Sequence, residues 1–336
     1  MYLSESSFDF SGKKVLLRID ADVDLVKKGK SWVVDEDYRL GCALSTIRYL
    51  QERKVAQIVM LAHLGRPGGK VVKELSLKPV ANWFKKRLGA CDFVSFKDKG
   101  IGKKGDLVLL ENLRFEKEER SNGRDFVKKL SALGEVYVND AFGNSHRDHA
   151  SITGLAKSLP SFLGLRIEGE VKTLNWLKLH APRPLVFVLG GSKKGKLDYL
   201  DFLSSWADRL LIGGKFPGMI KKKKKNMVLA TLKKNGKDLD QKSIDLFKEE
   251  MKKAKTIVWA GPMGVYEEKE SSKGTKEIAE AIGDSQAFKI AGGGDTHRII
   301  SAYKLWSCFN FVSVGGGATL QFLKEGSLSG IRAMKD

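Results

Sequence analysis

The stretch LVFVLGG at 185–191 decides the fold. Five apolar residues run straight into two glycines. That reads as a buried strand ending in a turn where backbone must come close to something else. The pattern recurs at RLLIGG (209–214), TIVWAGP (256–262), FKIAGGG (288–294) and NFVSVGGG (310–317). A helix is expected at roughly 197–207. Working outward, KVLLRI (14–19), AQIVMLA (56–62), DLVLLEN (106–112) and EVYVND (135–140) are further strand candidates. Helical spacing of apolar residues marks 38–54, 77–88 and 124–133 between them. Alternating strands and helices argue for mostly parallel sheets covered on both faces.

The expected fold class is therefore α/β, with two Rossmann-like three-layer domains facing across a cleft and joined by a helix. The joining helix is placed at 166–180, RIEGEVKTLNWLKLH, because the prolines of APRP stop it. One domain takes 1–165 plus a C-terminal tail, 325–336. The other takes 181–324. The run KKKKK at 221–225 reads as a solvated loop, since like charges discourage compact structure.

Composition narrows the class. The chain has 336 residues, 42% of them hydrophobic, enough for two cores. Its formal net charge of +20 attracts anions, either nucleic acid or small metabolites. The three cysteines are isolated, so a disulfide framework or zinc site is not expected. The N-terminus is acidic before any apolar run and is no signal peptide. No stretch of 18 apolar residues predicts a membrane span. A cytoplasmic location is the expectation.

Two sets of residues carry the chemistry. Arg39, His63, Arg66, Arg114 and Arg147 sit beside strand ends in the first half. Arginines so placed can grip a phosphate and a carboxylate, with bidentate geometry. The glycine clusters at 292–294 and 315–317 lie in the last fifth. GGGDT at 292–296 stands at an expected helix start, where backbone N–H groups favour phosphate. No GxxxxGK[ST] occurs, so P-loop machinery is not expected.

Eight ordered segments resemble the motifs of phosphoglycerate kinases. They are RIDADVDL (18–25), AHLGRP (62–67), LLENLRFEKEE (109–119), VNDAFGNSHRDHAS (138–151), VFVLGGSKKGK (187–196), WAGPMGVYE (259–267), AGGGDTHR (291–298) and VGGGATLQFL (314–323). Order and spacing match over most of the chain. The resemblance implies a glycolytic phosphotransferase. It would move a phosphoryl group reversibly from 1,3-bisphosphoglycerate to ADP, giving 3-phosphoglycerate and ATP, with Mg2+.

The resemblance also implies roles. Asp20 holds the substrate hydroxyl, and Asp22 stands where the family has Asn. Arg39 approaches the transferred group, and His63, Arg66, Arg114 and Arg147 complete the acceptor set. His146 and His149 lie outside that set. Lys193 neutralises the transferring phosphoryl. Leu197 occupies the place of a second family lysine, with Lys196, one residue early, as the favoured substitute and Lys194 as the alternative. Gly213 belongs to the nucleotide pocket, and Glu267 bonds the ribose. Gly292, Gly293, Gly294 and Thr296 cradle phosphate, and Asp295 takes the metal. Gly294 and Gly317 bear on the transferring group.

Other departures are Ala260 for a family Asn and a shortened stretch before residue 226, where NMVLATL would be a surviving strand. The expected partners are the anionic substrates alone, bound by a monomer. Two further readings follow from the departures and the charge: a catalytically impaired relative serving as a binding or moonlighting protein, and a nucleic-acid binder.

Overall fold

A computed structural model describes residues 1–96 and 105–334. The chain divides into two compact units, Met1–Lys172 with the tail from Ser327, and Thr173–Gly326.

The first unit runs β1 (Lys14–Arg18), β2 (Leu25–Lys28), β3 (Ser31–Val34), α1 (Tyr38–Glu52), β4 (Gln57–Leu61), α2 (Lys78–Leu88), β5 (Asp92–Val94) and β6 (Leu107–Leu110). It continues with α3 (Lys117–Ser121), α4 (Arg124–Ser131), β7 (Val136–Asn139), α5 (Leu155–Ser158) and β8 (Ser161–Leu163). Six strands form one parallel sheet in the order β5-β6-β4-β1-β7-β8. Both faces are covered. Val15 and Leu17 of β1 pack with Leu40, Ile47, Val80 and Phe84 of α1 and α2. Leu16 points the other way and packs with Phe126 and Leu130 of α4. This is why β1 reads as a continuous apolar run rather than an alternating one.

Helix α6 (Leu165–His180) carries the chain from the first unit into the second. Its first turn is held by Asp140, whose Oδ1 accepts from Arg166 N at 2.9 Å.

The second unit runs β9 (Leu185–Leu189), α7 (Leu200–Trp206), β10 (Arg209–Ile212), β11 (Met227–Leu229), α8 (Gln241–Lys252), β12 (Thr256–Ala260), α9 (Lys273–Asp284), β13 (Phe288–Gly292), α10 (Gly294–Ala302), β14 (Phe311–Ser313) and α11 (Gly317–Glu325). Its sheet is parallel in the order β11-β10-β9-β12-β13-β14. In chain order that is 3-2-1-4-5-6, the doubly wound arrangement, with the strand order reversing between β9 and β12. The tail ends in α12 (Ser329–Arg332) and returns to the first unit, where Gly330 N donates to Ser145 O at 2.6 Å.

The trimmed stretch is visible here. From β10 the chain passes through a single 3₁₀ turn, Pro217–Met219, and reaches its parallel neighbour β11 without a crossover helix. Parallel crossovers usually employ one. The five lysines at 221–225 are exposed and lie outside any helix or strand. Lys224 pairs with Asp201 at 2.7 Å. No helix among the described residues is long and apolar enough to cross a membrane.

Candidate active site

In the first unit the reversal of strand order falls between β1 and β7. Asp20 follows β1 and is buried. Its Oδ2 accepts from Gly143 N at 2.7 Å, and its Oδ1 accepts from the Asn144 amide. Asp20 is thus held by the loop that follows β7.

Asp22 lies two residues on. Its Oδ1 accepts from Gly65 N at 2.8 Å, and its Oδ2 is 3.9 Å from His63 Nε2. Arg39 donates to the Asp22 carbonyl oxygen, and Arg114 Nη1 donates to Gly65 O at 2.8 Å. Asp20, Asp22, Arg39, His63 and Arg114 therefore meet at one end of one sheet. Arg66 is exposed and Arg147 half-buried, close enough for their charges to interact.

The cluster is overcharged. Burial, then Arg18 and Arg147, bring Arg114 down to about 10, although Asp22 and Glu119 pull the other way. Arg147 is lowered by burial, then by Arg66 and Arg120. Burial and arginines push His146 down to about 4 and His149 to about 3. His63 falls well below the ordinary histidine value through burial first, then Arg114, Arg18 and Arg147. Like charges held this close are relieved by a bound anion.

In the second unit the turns after β9, β10 and β12 are sewn together by backbone. Gly190 N donates to Ala260 O at 3.0 Å, Gly213 N to Leu189 O at 2.9 Å, and Gly214 N to Met263 O at 3.0 Å. Side chains are excluded. A Cβ on Gly214 would lie 2.5 Å from Gly191 backbone, and one on Gly261 would lie 2.3 Å from Gly190 O. Lys196 fills what remains: its buried ammonium donates to Gly190 O and Ala260 O, both at 3.0 Å. It ties β9 to β12 at the reversal point.

Beside it, α10 and α11 begin at Gly294 and Gly317, with Gly293 and Gly316 at their N-caps. The two glycine turns touch: a Cβ on Gly316 would lie 3.2 Å from Gly293 Cα, and one on Gly292 would lie 2.8 Å from Gly315 O. Two helix starts are so placed side by side, each with N–H groups that lack intrahelical partners. Gly317 faces open space. Lys193 Nζ stands 3.4 Å from Asp295 Oδ2 in the first turn of α10.

Two predicted residues face inward or are spoken for. The Thr296 hydroxyl is buried, accepting from Gly261 N at 3.0 Å and donating to Gly292 O at 3.0 Å. Gly213 is packed against Met263. Glu267 is exposed after β12.

Arg18, Glu119, Ser151 and Asn144 were not singled out from the sequence. Arg18 left one signal, a charge inside the apolar run KVLLRI, and it is 1% exposed.

Two doubly wound units, one ending in a cationic cluster and the other in paired helix N-termini, define an enzyme that handles phosphorylated anions. The sequence pattern of phosphoglycerate kinases matches residues 6–232 and 218–326. The chain is 36% identical to the phosphoglycerate kinase of Pseudothermotoga lettingae, over 99% of this chain and 98% of the relative. That alignment spans 397 positions against 336 residues here, so the relative carries segments this chain lacks. Solved phosphoglycerate kinases from Coxiella burnetii (30% identity, TM-score 0.76) and Pyrococcus horikoshii (27%, TM-score 0.83) each cover 99% of this chain and 98% of their own. The chain belongs to the phosphoglycerate kinase family.

Proposed function

We propose that the chain transfers a phosphoryl group reversibly between 1,3-bisphosphoglycerate and ADP, with each ligand held by one unit. The overcharged cluster around Arg114 carries this reading. Asp20 would accept from the substrate hydroxyl. Arg39, His63, Arg66, Arg114 and Arg147 would bind its phosphate and carboxylate. The acceptor carboxylate is already ionised at neutral pH and needs no general base. What remains is alignment and charge neutralisation.

Lys193 and the N–H groups at Gly294 and Gly317 would neutralise the transferring oxygens. Gly292 and Gly293 would let the nucleotide phosphates approach, and Glu267 would reach the ribose. A single carboxylate on a helix start suits Mg2+, which takes one or two carboxylates and completes its shell with substrate phosphates and water. Asp295 fits that donor set, and no cluster of three metal-ligating side chains exists among the described residues. Bound there, the ion would neutralise phosphate charge.

The remaining expectations, a monomer in the cytoplasm with 1–165 as acceptor domain and 181–324 as nucleotide domain, belong to the same proposal. Calorimetric titration of the full chain with 3-phosphoglycerate and with Mg-ADP tests it. Saturable binding of both is expected. Failure of 3-phosphoglycerate to bind overturns the acceptor assignment.

A further inference from the structure

Arg18 is the last residue of β1, and its guanidinium is enclosed. Its Nε donates to Ser151 Oγ at 2.9 Å. Ser151 in turn gives Glu119 two hydrogen bonds, from its backbone N at 3.0 Å and its Oγ at 2.7 Å. Glu119 is wholly buried. Nη1 of Arg18 donates to the Ile19 carbonyl. The remaining nitrogen, Nη2, lies 2.9 Å from His63 Nδ1.

A guanidinium has donors and no acceptor. The contact therefore requires a bare Nδ1, and the neutral ring must carry its proton on Nε2. That nitrogen faces the cluster, on the side of Asp22.

We propose that Arg18, anchored through Ser151 by Glu119, is a positioning residue that locks His63 as a neutral, Nε2-protonated donor aimed into the cationic cluster. A second proton on Nδ1 would break the Arg18 contact and add a charge beside Arg18, Arg114, Arg147 and His149. The opposing carboxylates are Asp22, half-exposed and 3.9 Å away, and Glu119, engaged with Ser151. The lock supplies a hydrogen bond to an incoming anion without raising the charge of an overcharged site. Its use in binding 3-phosphoglycerate rests on the acceptor reading above. The tautomer does not.

The test is long-range proton–nitrogen correlation NMR on the full chain with labelled histidine. His63 is assigned by the signal missing from His63→Gln. The expected signature is a bare Nδ1 and protonated Nε2 that do not titrate between pH 5 and 8. An Nδ1-protonated ring, or one that titrates in that window, overturns the proposal. In Arg18→Met the signature should be lost and KM for 3-phosphoglycerate should rise roughly five- to tenfold, the value of one hydrogen bond. KM for nucleotide should stay the same. If Arg18→Met does not fold, Ser151→Ala should blur the signature in the same direction. An unchanged KM beside a lost signature supports the lock and overturns the acceptor role of His63.

Discussion

Lys193 Nζ lies 3.4 Å from Asp295 Oδ2, so the cation proposed for the transferring phosphoryl and the carboxylate proposed for the metal already face one another at the start of α10. Both are partly exposed, and such a pair contributes little to stability. Lys193→Ala should therefore leave the melting temperature within about 2 °C, the scale of a surface substitution. It should lower kcat by roughly 100-fold or more, as loss of a charge-stabilising group does. Steady-state kinetics beside thermal melts check this. A large drop in melting temperature with near-normal kcat would mean a structural role.

Asp22 puts a carboxylate in the cluster that is meant to receive a substrate carboxylate. Its Oδ1 accepts from Gly65 N, a bond an asparagine oxygen can keep. Asp22→Asn should thus preserve the loop and remove a repulsion. The expected result is a several-fold lower KM for 3-phosphoglycerate, with the gain shrinking as salt screens the charges. A raised KM would show that the negative charge is needed to tame Arg114 and Arg147.

Lys196 makes stability depend on pH in the alkaline range. Burial lowers its amine to about 8, an effect Asp295 opposes and Lys193 reinforces. The folded value lies below the unfolded one. The burial penalty is then full below pH 8 and lifts as pH rises toward about 10.4, because the unfolded chain holds the extra proton there. The span is bounded at about 3 kcal/mol. Denaturant titrations from pH 8 to 10 should show this rise in the parent chain and a flatter profile in Lys196→Met. Equal slopes would contradict the assignment.

Asp140 gives the opposite slope at lower pH. Burial raises its carboxyl to about 7, against the pull of the Thr46 hydroxyl and the Arg166 N–H. Here the folded chain holds the extra proton between about pH 4, the unfolded value, and 7, so stability falls as pH rises through that window. Asp140→Asn keeps an oxygen for Arg166 N. It should match the parent near pH 4 and exceed it in stability at pH 8. A variant that matches the parent near pH 4 but is less stable at pH 8 would show that the ionised form anchors α6.

The long strands were legible because runs such as 185–191 are apolar until they meet glycine. The strand order and its reversal points were not, since they depend on which strands pair. Most observed strands are a residue or two shorter at the ends, and β14 stops at Ser313, four residues before the end of the 310–317 run. The β2–β3 hairpin was not legible. Lys27, Lys28, Ser31 and Trp32 are exposed, so no burial pattern marks it. β5 and β8 are three residues each, too short for a period.

The motifs named candidate residues, and the structure brings Asp20, Asp22, Arg39, His63 and Arg114 to one sheet end, but the wiring between them was not legible. The sequence does not reveal that Lys196 turns inward to two carbonyls, or that the Thr296 hydroxyl is spent between Gly261 and Gly292. Nor does it reveal that Arg18 caps a histidine. Each is a long-range contact made only once separate strand ends meet.

The most direct test is turnover by the full chain. Purified protein with Mg2+, ADP and 1,3-bisphosphoglycerate should form ATP, and the rate should fall at least 100-fold in Arg39→Ala and in Lys193→Ala, each removing one charge-stabilising group. A folded chain that binds both ligands yet forms no ATP at any Mg2+ concentration would contradict the account.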